Sequence, residues 1–478
     1  MNTASTVPRK GAQRSQFHRV RAQEHVRYVE KTCELLDSKK QGTESRVPCI
    51  SFFVPSLVSL CADTIAANFE VIPEVDALAD SYPELYEMVI ERLSTELPLK
   101  VSVQRVHCEK FWRRCSESRW SFGQLSEGTR GKLVGGTYRG WKQFFLERLL
   151  RDFLMGLKTA KPSENDEQQL LELCNIGRDY IYSLELPCQT AHLDVYGMIL
   201  SRLPHVLNLS LTYSVNNVEV GFEWDMIGFT EDDALSIRYV LRRYTPLVSL
   251  RLPNNRIDSS LLKGIISGIV QNTSIKVLDF SFNRIDDEGA KSLALLLCKE
   301  DLPLEELYLN DNGIRGEGAA AIADALTLNK RLRLLNLRLN RIPDDVGGVA
   351  LVAGLASHSA LEALDISHNL LGEATARALA EILPSQNSLL SLNIAGNRDL
   401  GVNTGELLLK GLKENKSLRF FDSRGSGLSL EHVAAMERQI RSVVQSEKMN
   451  DIQARDKKSR EIIHREVEEK LSKIVSVR

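Results

Sequence analysis

The segment Gly123-Gln-Leu-Ser-Glu-Gly128-Thr-Arg-Gly-Lys132 carries the glycines and the lysine from which phosphate-binding loops are made. Such a loop needs Lys directly after its second glycine, so that an ammonium meets the phosphates cradled by the backbone N–H groups. Thr129 stands in that place, and the match fails. The sequence holds no His-Glu-x-x-His and no Gly-x-Ser-x-Gly, which removes the zinc-protease and serine-hydrolase arrangements. Its eight cysteines, Cys33, Cys49, Cys61, Cys108, Cys115, Cys174, Cys188 and Cys298, form no Cys-x-x-Cys pair. They read as small apolar fillers rather than zinc ligands or a disulfide framework. The nine histidines are isolated from one another, and His368 is expected to face solvent. No catalytic residue, metal ligand or cofactor is therefore expected, and the chain reads as a non-enzyme.

The residues with a regular spacing are asparagines. Asn255, Asn283, Asn312, Asn340, Asn369 and Asn397 stand 28, 29, 28, 29 and 28 residues apart, each closing a segment of the form L-x-x-L-x-L-x-x-N. The best of these read Leu304 to Asn312 (LEELYLNDN) and Leu332 to Asn340 (LRLLNLRLN). Six matches in register mark a repeat array. The apolar residues at positions 4 and 6, such as Leu307 with Leu309, point the same way from a short strand because side chains alternate with period 2. The chain must then turn, and a buried turn leaves backbone donors and acceptors that a side-chain amide, carrying both kinds of group, can satisfy. The six asparagines are thus a structural ladder.

The elements that hold this ladder follow from the intervening residues. Glu317-Gly-Ala-Ala-Ala-Ile-Ala-Asp-Ala-Leu326 has helical periodicity, with Ala320, Ala323 and Ala325 beside Ile322 and Leu326 as a small-residue face for close packing. Parallel strands inside and helices outside give an α/β leucine-rich-repeat solenoid, curved because a helix is wider than a strand. The alternation of 28 and 29 residues resembles the ribonuclease-inhibitor class. Weaker copies lie downstream at Leu418 to Ser426, with Ser426 in the ladder place and Ser423 in a core place, and upstream at Val206 to Ser214 and Ile181 to Gln189. We count eight repeats, the terminal ones degenerate as capping repeats are. The interval grows to 41 residues between Ser214 and Asn255, which places an inserted loop at Val215 to about Thr230.

Function on such a scaffold belongs to the face opposite the core. Position 5 of the segments gives the series Arg251, Asp279, Tyr308, Asn336, Asp365, Asn393 and Asp422, and position 7 adds Pro253, Ser281, Asn310, Arg338, Ser367, Ala395 and Arg424. The position-5 row is polar and leans acidic, so it is the candidate site for docking a basic segment of a partner.

The rest of the chain divides around the array. Residues 1–47 form a basic N-terminal arm, with Arg9, Lys10, Arg14, Arg19, Arg21, Arg27 and Lys31 against Glu24 and Glu30. It is either a solvated terminus or an anchor for an acidic surface such as tubulin or a partner subunit. Residues 48–168 read as a helical N-terminal domain and linker, the solenoid as 169–428, and residues 429–478 as a charged C-terminal helix capped by Ser429. Within 48–168 the expected helical faces are Leu57, Leu60, Cys61, Thr64, Ile65 and Phe69, then Leu85, Met88, Val89 and Leu93. The segment Phe111 to Trp120 is expected to bury its aromatics against the first repeat, since an uncovered solenoid end would expose core, and 158–168 to be the linker. Hydrophobic content of 43% with 26% charged residues is ordinary for a soluble protein, and a net charge of −2 makes no case for nucleic acid. No apolar run approaches the roughly 18 residues of a membrane span, and the first residues lack the apolar core of a secretory signal. A soluble intracellular protein is expected.

The ordered signature PSLVSLC (Pro55 to Cys61), Tyr82-Pro-Glu-Leu85 with Leu97-Pro-Leu99, FWRRC (Phe111 to Cys115), Arg119-Trp120 and Trp141-Lys-x-Phe-Phe-Leu-Glu-Arg148, followed by these repeats, resembles the T-complex-associated testis-expressed protein 1 family. The resemblance covers roughly residues 50 to 430. That family is subunit 5 of the nexin-dynein regulatory complex of the ciliary or flagellar axoneme. The resemblance implies a cytoskeletal scaffold in the linker between doublet microtubules that regulates dynein-driven motility, with no active-site residues to carry over. Its partners would be other subunits of that complex, another leucine-rich-repeat subunit among them, and the doublet microtubule through the basic arm. Two rivals remain. Tyr82 to Arg114 is similar to an F-box, which would make the chain a substrate receptor of a cullin ubiquitin ligase, and the repeat class also occurs in GTPase-activating proteins of the Ran-activator type.

Overall fold

Each repeat spends its apolar residues at fixed places, and the chain follows them. The computed structural model describes residues 56–71, 77–121, 140–159, 161–215, 226–446 and 448. The chain divides into two units, Met1–Leu60 and Cys61–Arg478, and almost all described residues belong to the second. The basic arm, the glycine-rich stretch 123–132, most of the inserted loop (216–225) and the end of the C-terminal helix lie outside the described residues.

The second unit is built on a nine-stranded parallel sheet whose strands lie in chain order. These are β1 (Ser183–Gln189), β2 (Asn208–Tyr213), β3 (Ser249–Arg251), β4 (Val277–Asp279), β5 (Glu306–Tyr308), β6 (Leu334–Asn336), β7 (Ala363–Asp365), β8 (Ser391–Asn393) and β9 (Phe420–Asp422). The described residues hold nine repeats, six closed by asparagine and three degenerate, one more than the eight expected. The register joins position 4 to position 4 throughout, Leu250 to Leu278 to Leu307 to Leu335 to Leu364 to Leu392 to Phe421. Except for Phe421 these side chains are almost wholly buried, as is the position-6 column from Leu252 to Ile394. A third buried column, Ile257, Ile285, Ile314, Ile342 and Leu371, follows each of the first five asparagines by two residues and leads the chain from turn to helix.

The return limbs are helical, among them α8 (Glu231–Arg243), α9 (Ser259–Ile269), α10 (Asp287–Leu297), α11 (Gly316–Leu328), α12 (Val349–Ser357), α13 (Glu373–Ile382) and α14 (Thr404–Glu414). Small residues bring them close: a Cβ on Gly354 of α12 would lie 2.6 Å from the Ala323 carbonyl oxygen of α11. Their N-termini are capped across repeats as well as within them. Asp287 accepts the N–H groups of Arg315 and Gly318 at 2.7 and 3.0 Å, which caps α11 from the preceding limb.

Both ends of the sheet are covered. At the first strand, α6 (Trp141–Gly156) packs on β1, and Glu147 accepts the edge N–H groups of Tyr182 and Ser183 at 2.9 and 2.8 Å. Pairing those donors blunts an edge that would otherwise recruit another strand. Trp112, on α5 (Glu109–Arg119), packs at a tilt on Phe145 of α6, and Trp120, just after α5, meets Phe144 and Phe145 edge to face. Their N–H groups donate to the Val106 carbonyl and to Asp152. At the far end the helical residues 430–446, capped by Ser429, bury Met436 and Ile440, and Met436 receives the Ser423 hydroxyl at 3.8 Å.

Two further expectations are corrected. In α1 (Leu57–Ala67) Leu57, Leu60 and Cys61 are exposed, because the helix packs instead by Ala62, Ile65 and Ala66, with Phe69 just beyond its end. The supposed linker 158–168 ends in α7 (Glu164–Gly177), since Ser163 accepts the Asp166 N–H and starts a helix there. Three acidic residues in its first turn suit the positive end of the helix dipole.

Candidate partner-binding face

The ladder asparagines are buried and hydrogen-bonded through both amide groups. Asn283 accepts the N–H groups of Asn255 and Ile257 at 3.0 and 2.9 Å and donates to the Leu252 and Phe280 carbonyls. Asn312 accepts from Ile285 and donates to Phe280 and Leu309. Asn340 accepts from Ile314 and donates to Leu309 and Leu337. Asn369 accepts from Ile342, Asn397 from Asn369 and Leu371, and Asn255 from Tyr213. Every rung therefore satisfies groups in its own repeat or the one before it, and its work is internal.

A second ladder, missed in the sequence reading, runs along the opposite end of the strands. Asn272 accepts the N–H groups of Ser274 and Ile275, Asn329 those of Arg331 and Leu332, and Asn415 those of Ser417 and Leu418. His358 takes the same place with Nδ1 accepting from Ala360 and Leu361, while its Nε2 is buried without a hydrogen-bond partner. The signal was present: each of these residues stands three places before the first apolar residue of a segment. Asn recurs there only in part, since Asp301, His358 and Gln386 hold the same place in other segments.

The position-5 row is brought into one line by the register: Arg251, Asp279, Tyr308, Asn336, Asp365, Asn393 and Asp422 are successive partners across the sheet. Five of the seven close a local turn. Asp279, Asn336, Asp365, Asn393 and Asp422 each accept, through Oδ1, the N–H two residues on, at 2.9 to 3.1 Å. The Asp and Asn residues there are partly a consequence of the chain leaving the strand, since such side chains mimic a backbone turn.

Their remaining oxygens are also engaged. Arg251 pairs with Asp279 Oδ2 at 3.2 Å, Asn393 donates to Asp365 Oδ2 at 3.0 Å, and Arg424 meets Asp422 Oδ2 at 2.6 Å. The Arg424 hydrogen bond holds the Asp422 carboxyl below the usual carboxylate range. Arg251 also lies over the Tyr308 ring, 5.3 Å from its centroid. Burial first, and then the hydrogen bond to Glu306, push the Tyr308 phenol to about 12, so it remains a neutral donor. The row is consequently less negative than its letters suggest. Arg251 and Tyr308 are the two members whose side chains are not tied to a turn.

Beside β2 one cluster has the outward form of a catalytic triad. His192 Nδ1 lies 2.6 Å from Asp233 Oδ2 and its ring stacks on Tyr213 at 4.2 Å. Asp233 also accepts the N–H and hydroxyl of Thr230 and forms the capping box of α8. Burial, followed by the charge of Asp233, raises the Tyr213 phenol well above its ordinary range, so it supplies no nucleophile. Among the described residues no group of His, Cys, Asp and Glu is arranged to hold a metal ion, and no helix is long and apolar enough to cross a membrane.

Known proteins share this pattern. A family model described as a leucine-rich repeat matches residues 271–294 and 302–323. Human dynein regulatory complex subunit 5 is 32% identical over 270 residues, covering 51% of this chain and 51% of that protein. The same subunit of Chlamydomonas reinhardtii is 30% identical over 210 residues, covering 44% and 50%. The chain is similar to dynein regulatory complex subunit 5. It spans about half the length of these relatives. RAN GTPase-activating protein 2 of Arabidopsis thaliana is 34% identical over 119 residues, which is 24% of this chain and 22% of that protein. A stretch of that length holds about four repeats and no more of the chain's organisation.

Proposed function

We propose that this chain, like the subunit 5 proteins it resembles, is a non-catalytic structural subunit of the nexin-dynein regulatory complex in the axoneme. It would scaffold the linker that regulates dynein-driven motility. The observation that supports this most is the match to the same named subunit in human and in an alga, at 32% and 30% identity, on a repeat solenoid whose polar groups are occupied by structural work. Other subunits of that complex, another leucine-rich-repeat subunit among them, would sit on the row from Arg251 to Asp422, and the arm 1–47 would meet the doublet microtubule. Arg251 and Tyr308 are the row's best contact residues, because neither is needed to close a turn.

The F-box reading is not favoured by the packing. Val89, Ile90 and Leu93, which would have to greet an adaptor, are buried with Phe111 and Trp112. Tagged protein should stay with axonemes after detergent extraction of cilia or flagella. Release into the soluble fraction would overturn the assignment. Arg251→Ala should lower retention with little change in the thermal midpoint, because its ion pair with Asp279 is partly exposed to solvent.

A further inference from the structure

The residue before each ladder position has a left-handed backbone in seven successive repeats: Asn254, Phe282, Asp311, Leu339, His368, Gly396 and Gly425, with φ between 53° and 72°. Gly, Asn and Asp adopt that conformation readily, whereas a bulky apolar side chain is penalised there. Phe282 and Leu339 nevertheless occupy it, and they are 49% and 40% exposed. Neither burial nor backbone preference explains them. One repeat further on, Leu370 is 62% exposed on the same rim.

Arg284, Arg315, Arg338 and Arg341 are exposed beside them, and among the described residues their guanidinium groups have no ion-pair or hydrogen-bond partner. The carboxylates nearby are largely committed to helix starts. Asp286 accepts from Ser259 and from the N–H groups of Glu288 and Gly289, Asp287 caps α11, and Asp344 holds Thr375. Asp311 is the exception, exposed between Phe282 and Leu339.

Backbone hydrogen bonds tie these places repeat to repeat, from Phe282 to Asn310, Asp311 to Arg338 and Leu339 to Ser367. With neighbouring strands about 4.8 Å apart, Phe282 and Leu339 are about 10 Å apart along the rim. That is the separation of residues i and i+7 on an α-helix rising 1.5 Å per residue, and Leu370 falls about where i+11 would meet it.

We propose that this rim docks an acidic amphipathic α-helix of a partner protein, laid across the repeats with Phe282, Leu339 and Leu370 against its apolar stripe and the four arginines against its carboxylates. The site uses none of the position-5 residues and does not depend on the axonemal assignment. A fluorescein-labelled, helix-stabilised peptide with leucines at i, i+7 and i+11 and glutamates elsewhere is the probe, titrated with the full chain. Wild type should bind it and release it as salt rises, and the same peptide with lysines for glutamates should not bind.

Phe282→Asn with Leu339→Asn should weaken binding at least tenfold while melting no lower than wild type, since Asn suits the left-handed turn. Arg284→Glu with Arg341→Glu should weaken it similarly. No binding by wild type, equal binding by the double-Asn chain, or equal binding of the lysine peptide would each overturn the proposal. Loss of the chain from extracted axonemes would leave it standing.

Discussion

Asn283 and Asn312, adjacent rungs of the asparagine ladder, should differ in what they contribute, although each is 9% exposed. Replacing Asn312 by Leu, which has nearly the same shape, removes the acceptor for the Ile285 N–H. Its three carbonyl partners are not orphaned: Phe280 keeps the Asn283 amide, Leu309 the Asn340 amide and Asn310 the Phe282 N–H. One buried donor is therefore stranded, at a cost of about 1–3 kcal/mol. Asn283→Leu strands the N–H groups of Asn255 and Ile257 and also the Leu252 carbonyl, which receives no other hydrogen bond among the described residues. At about 1–3 kcal/mol per group its cost is roughly three times larger. Urea unfolding followed by circular dichroism, with both variants and wild type, reads the difference directly. Equal destabilisation of the two variants would refute the reasoning, because burial alone predicts equality and only the count of stranded groups predicts the order.

Three other outcomes follow from the same geometry. Burial holds the His358 imidazole below its ordinary range, so the unfolded chain takes up a proton more readily, and stability contributed by the neutral ring is lost as pH falls through about 6.5. His358→Asn, the residue of the neighbouring rungs, should reduce the drop in thermal midpoint between neutral and mildly acidic pH; an unchanged drop refutes it. Asp287→Ala should cost about 0.5–2 kcal/mol by uncapping α11 from the preceding repeat, with faster hydrogen exchange at Arg315 and Gly318 as the local readout. Trp112→Ala should cost about 3–5 kcal/mol, since the ring is 1% exposed and its N–H is bonded to Val106; an effect under about 1 kcal/mol would show that the N-terminal cover does not depend on it.

The repeat spacing made the sheet legible because each strand from β3 to β9 is a local, three-residue event repeated at a nearly fixed interval. Leu250, Leu278 and Leu307 are buried for the same reason, and knowing one gives the others. The degenerate segments were harder. Ser423 and Ser426 are poor matches as letters, but β9 forms because β8 offers its edge and Met436 covers the serine. Outside the array the faces were misread at Leu57 and Leu60, since helical periodicity gives a stripe of apolar residues without saying which part of it finds a neighbour.

By itself the sequence determined the period, the strand positions, the buried columns and the ladder, since all of these are repeated within one chain and need only local chemistry. Tertiary structure decided what the polar residues are for. Asp279, Asp365 and Asp422 look like an acidic docking row in the letters, but in the fold their oxygens are spent on turns, on Arg251, on Asn393 and on Arg424. Phe282 and Leu339 look like ordinary apolar residues, yet the fold sets them at left-handed positions in solvent beside arginines without partners. The physical reason is the same in both cases: charge, strain and exposure depend on neighbours about 28 residues away in the chain, and only folding brings those neighbours together.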